Sequence, residues 1–91
     1  MSRPKKERVT RERIVLTRKV LEVAVLPHVS SGFEEFDVSD FKPNKAYKVY
    51  GAVLVRYSDG SGVPCWLVET ETGSVKVKAM EKFRVVKEEP L

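Results

Sequence analysis

The sequence predicts an all-β domain: a meander of five short strands closing into a small barrel, preceded by a flexible basic arm. Three observations carry this. β-Branched and aromatic residues alternate with polar ones in short runs, the period of a half-buried strand. Clusters of Gly, Ser, Asp, Asn and Pro punctuate those runs. The chain has 91 residues and one cysteine, Cys65, so a single domain must hold itself together without an intrachain disulfide. Closure suits so short a chain because it removes open sheet edges.

The elements follow in order. Residues 1–13, MSRPKKERVTRER, have almost no apolar side chains. They cannot offset the entropy of becoming ordered and are expected to be mobile. Residues 1–17 form the arm, and residues 10–18 read equally as a short helical turn or as an extension of the next strand. In IVLTRKVLEVAVL, residues 14–26, the β-branched content favours a strand over a helix. Leu21, Val23 and Val25 alternate there against Glu22, which sets the first strand at residues 19–26, ended by Pro27.

Residues 28–44, HVSSGFEEFDVSDFKPN, make a long connection that interleaves Glu34, Glu35, Asp37 and Asp40 with Phe33, Phe36, Val38 and Phe41. A connection of this length is expected to fold back as a hairpin, with Phe36 and Phe41 anchoring it. Residues 45–57 read as the second strand, with Tyr47 and Val49 facing one way and Lys48 and Tyr50 the other. Gly51 in its middle predicts a bend or bulge. SDGSG at 58–62 is a turn, VPCWLVETE from residue 63 is the third strand, and TETG makes a tight hairpin turn through Gly73. In SVKVKA, residues 74–79, Val75, Val77 and Ala79 share one face of the fourth strand. Lys76 and Lys78 share the other, read as its solvated side. MEKF predicts one 3₁₀ turn, RVVK closes the barrel at residue 87, and EEPL, residues 88–91, is expected to fray.

From residue 21 to residue 87 this pattern resembles the SH3 fold. DVSDFKPNKAYKV is similar to the end of the acidic RT loop and the turn into the second strand. CWLVETETG resembles the tryptophan-led third strand and distal hairpin, and VKVKAMEKFRVV the fourth strand, 3₁₀ turn and last strand. The chain is most similar to small single-domain SH3-like proteins of bacteria and phages, most of which have no assigned activity. Peptide-binding SH3 domains lay a proline-rich ligand on exposed aromatics. Here VAVLPHV supplies no tyrosines, Cys65 stands at the first position of the usual Trp-Trp pair, and KAMEK lacks the proline of the 3₁₀ region. The resemblance therefore implies an architecture, with Trp66 in the more structural of the two tryptophan positions, and argues against proline-rich peptide as the ligand.

The net charge is +4, and its distribution says more than its sum. Residues 1–19 hold eight basic residues against two acids, a net of +6, while the remainder carries nine basic and eleven acidic residues, a net of −2. A basic arm on a near-neutral body points to nucleic acid, or a nucleic-acid-bound protein complex, as partner. The candidate contacts are Arg3, Lys5, Lys6, Arg8, Arg11 and Arg13, with Lys48, Lys76 and Lys78 as a secondary patch and Tyr50 near enough to stack on a base. The alternative is a protein–protein adaptor or host-protein inhibitor, phage-encoded, acting through Glu34, Glu35, Asp37, Asp40 and Trp66.

Catalysis is not expected. His28 and Cys65 occur without an orienting third group, and no phosphate loop, dinucleotide fingerprint or zinc spacing is present. The acidic loop lacks the spacing of a calcium loop, so no metal or cofactor is expected. No apolar run reaches the length of a transmembrane helix, and Arg18, Lys19 and Glu22 interrupt any leader-like segment, so a cytoplasmic protein with no membrane partner is expected.

Overall fold

The computed structural model describes residues 8–27 and 34–91. Arg3, Lys5, Lys6, His28 and Phe33 lie outside them. The fold is all-β, built from β1 (Arg8–Arg13), β2 (Arg18–Val25), β3 (Tyr47–Tyr57), β4 (Gly62–Glu69), β5 (Val75–Ala79) and β6 (Phe83–Pro90). Two single 3₁₀ turns, Glu34–Phe36 and Met80–Lys82, complete it. The strands form one antiparallel sheet in the order β5-β4-β3-β2-β6, with β1 also paired to β3. The pairing path is open, ending at β5 and β6, so the sheet does not close on itself as expected: among the described residues no ladder joins its two end strands.

Six strands therefore stand where five were expected. Most of the expected elements hold: the bulge at Gly51, the turn at residues 58–61, the hairpin through Gly73 and the 3₁₀ turn before the last strand. Gly60 and Gly73 adopt left-handed backbone at φ 90° and 91°, which is why glycine closes both turns.

Three further expectations are corrected. Residues 8–13 are strand β1 and not part of a mobile arm; Arg11 lies opposite Val55 and Glu12 opposite Leu54. A strand at this edge is held by backbone hydrogen bonds and by the Glu12–Arg56 ion pair at 2.7 Å, so it needs little apolar content. Likewise the expected frayed end is strand: β6 runs to Pro90 along the first half of β2, with Arg18 paired to Glu88. The third correction concerns residues 34–44, which hold a 3₁₀ turn and two further turns and no hairpin ladder. Asp37 accepts a hydrogen bond from the Ser39 amide at 3.0 Å, which holds its carboxyl below the usual range.

The main core gathers Val23, Val25, Phe41, Tyr47, Val49, Ala52, Trp66, Val68 and Phe83. Phe41 meets Tyr47 and Phe83 edge to face, at centroid distances of 4.9 and 5.3 Å, and so anchors its loop as expected. Trp66 is 6% exposed and serves as core. A smaller cluster of Val55, Tyr57 and Cys65 lies at the other end of β3. Glu35 closes this end: its buried carboxylate accepts a 2.6 Å hydrogen bond from the Tyr57 hydroxyl.

Candidate functional site

The register of β3 builds a groove. Ladder partners run Val49–Val68 and then Gly51–Leu67, so Tyr50 is the extra residue of a bulge and has no partner on β4. On the other edge of β3, Ile14 donates to the carbonyl of Ala52 at 3.1 Å, and pairing resumes only at Glu22–Lys48. Residues 15–21 therefore bow away from residues 49–51, which keep no ladder partner along that edge. The space between is lined by Ile14, Leu16, Val20, Val49 and Ala52 as an apolar floor, with Arg13, Arg18, Lys19 and Tyr50 at its rim. Its volume is about 200 Å³; no Asp or Glu side chain lines it, and Leu91, the last residue, lies along it.

The charge of this groove is only partly compensated. Arg18 pairs with Glu88 beside the groove, whereas no ion pair holds Arg13 or Lys19 among the described residues. Tyr50 is 54% exposed and presents its ring to solvent. Its hydroxyl donates to Glu69 Oε1 at 2.8 Å, which raises the phenol pKa and fixes the ring's direction. Lys48 Nζ sits 5.4 Å from the ring centroid.

The remaining candidate residues are distributed differently from the expectation. Arg11 and Arg13 are exposed on β1, and the backbone of Arg8 starts that strand. Lys48, Lys76 and Lys78 do not form one patch. Lys76 lies in the cross-strand row of Val49 and Val68, and Lys48, next to Val49, faces the other way. Lys76 is exposed as expected, whereas Lys78 is 3% exposed and not on a wet side. The Lys78 ammonium donates to the Glu34 carbonyl at 2.9 Å, and Lys76 pairs with Asp40 at 2.8 Å, which raises the Lys76 pKa. The acidic loop thus buries Lys78 and pairs with the exposed Lys76. Arg11, Glu34, Asp37 and Asp40 line a second, mixed-charge cleft with Lys76 and Lys78.

For the adaptor surface, Glu35 and Trp66 are buried and Asp40 is engaged with Lys76. Glu34 and Asp37 stay exposed. Cys65 is fully buried, and its thiol is pushed up to about 12 by burial and by the Glu35 carboxylate. Such a thiol is a poor nucleophile. Among the described residues, no group of three or more His, Cys, Asp or Glu side chains could hold a metal ion, and no helix is long and apolar enough to cross a membrane.

Sequence reasoning missed Arg18 and Lys19 as site residues. Gly51 signalled the bulge, but the groove arises from the unequal lengths of chain on its two sides, which become visible only once the register is known. No family model, curated protein or solved structure matches this chain.

Proposed function

We propose that this chain is a non-enzymatic SH3-like module that binds nucleic acid through β1, the bulge groove and the basic residues ahead of β1. The SH3-like reading is supported by the strand order β5-β4-β3-β2-β6, by the bent β3 shared between two halves of the sheet, and by the 3₁₀ turn before the last strand. The functional reading rests above all on the groove lined by Arg13, Arg18 and Lys19 with no Asp or Glu side chain in its lining, and on Arg11, exposed on the same strand as Arg13. Arg13 and Lys19, which no ion pair holds among the described residues, gain most from releasing the counterions of a phosphate backbone. The segment that contains Arg3, Lys5 and Lys6 leads into this same strand and adds charge to it.

Anisotropy of labelled DNA and RNA oligonucleotides, titrated with the full chain at several salt concentrations, tests the proposal. Each phosphate contact to a single strand contributes about 0.7 to the slope of log K against log salt. Arg11, Arg13, Arg18 and Lys19 alone should thus give a slope near −3, steeper if the residues ahead of β1 contribute. Absence of binding at low salt, or binding insensitive to salt, would overturn the reading.

A further inference from the structure

We infer that the groove takes single-stranded nucleic acid, with one base stacked on the ring of Tyr50; this rests on the binding reading above and narrows its ligand class. The bulge removes Tyr50 from the ladder and turns a large aromatic ring outward, where it is 54% exposed. Burial therefore does not explain the ring, yet its direction is set by the hydroxyl bond to Glu69 Oε1 at 2.8 Å. A ring already held in place loses little freedom when a base lies against it.

The surroundings suit a nucleotide rather than a bare anion. The floor beside the ring is apolar, from Val49, Ala52, Ile14 and Val20. Gly51, adjoining Tyr50, also lines the groove, with the space its missing side chain would take facing Leu67. Lys48 Nζ lies over the ring, 5.4 Å from its centroid, and Arg13 and Lys19 line the same groove, cations that would meet the phosphates of a strand whose base stacks on the ring's other face. A duplex keeps its bases stacked within itself and offers only its backbone to such a surface. A single strand can supply phosphate charge and a free base together, the combination that aromatic-plus-basic sites recognise.

The test compares wild type, Tyr50→Ala and Tyr50→Phe against a mixed-sequence single strand of about ten nucleotides and its duplex, within the usual site size for such domains. The expected result is tighter binding of the single strand. Tyr50→Ala should weaken it roughly tenfold or more with little change for the duplex, while Tyr50→Phe, which keeps the ring and loses its bond to Glu69, should weaken it less. Salt-dependent binding that is equal for both forms and indifferent to Tyr50→Ala overturns this inference and leaves the binding reading intact. Failure of wild type to bind either form overturns both.

Discussion

Residues 34–41 dock onto the sheet through Phe41, through Lys76 and Lys78, and through one buried hydroxyl–carboxylate contact that a matched pair of substitutions tests. Tyr57→Phe removes a hydroxyl whose 2.6 Å bond to Glu35 Oε1 lies inside the protein; Tyr57 is 4% and Glu35 1% exposed. A buried hydrogen bond to a charged group contributes about 1.5–3 kcal/mol. In a domain of this size each kcal/mol moves the thermal midpoint by about 4–8 °C. Tyr57→Phe should therefore lower Tm by roughly 10 °C. Tyr50→Phe removes the same atom from a solvent-exposed bond to Glu69 and should leave Tm within error of wild type. Unfolding followed by the fluorescence of Trp66, buried in the core, reads both. Equal, small shifts for the two variants would refute the reasoning, because they would mean that Glu35 is not sealed beneath its loop.

Three further outcomes are expected. Trp66→Ala should cost about 3–5 kcal/mol, enough to leave a domain of this size largely unfolded at 37 °C by far-UV circular dichroism, whereas Trp66→Phe should remain folded. The Glu71 carboxyl is held down to about 2 by the Tyr47 hydroxyl and then by Lys45, at 2.6 and 2.9 Å. Because its folded pKa lies below the ordinary 4.5, the stability it contributes is present above pH 4.5 and is lost as pH falls toward 2. Urea midpoints measured across that window should fall less steeply in Glu71→Gln. Lastly, Cys65 should resist a thiol reagent at pH 8 in the native protein and react rapidly once the chain is unfolded, as a buried thiol raised to about 12 requires.

What could be read from the sequence was whatever depends on apolar side chains and turn chemistry. Trp66, Phe41 and the Val23–Val25 alternation announced the core, Gly51 the bulge, and Gly73 the hairpin. What escaped was whatever depends on backbone pairing between distant segments. β1 and the end of β6 are charged and exposed, so composition read them as loose. Their order comes from ladder bonds to β3 and β2, assisted by Glu12–Arg56 and Arg18–Glu88. Lys78 illustrates the same limit. Its alternation with Val77 and Ala79 was legible, but the loop that buries it arrives from 44 residues away. The candidate site was legible in its charge and not in its shape, because residues 15–21 bow outward only relative to the residues of β3 that they skip.

Charge reversal tests the central claim most directly. Arg13→Glu combined with Lys19→Glu changes two groove cations that no ion pair holds among the described residues, while Arg84→Glu changes an exposed cation at the far end of β6. At low salt, with a single-stranded oligonucleotide, the double variant should lose binding by at least tenfold and show a salt slope shallower by about 1.4, with Arg84→Glu close to wild type. Equal losses in both variants, or none in the groove variant, would contradict the assignment of this groove as the binding surface.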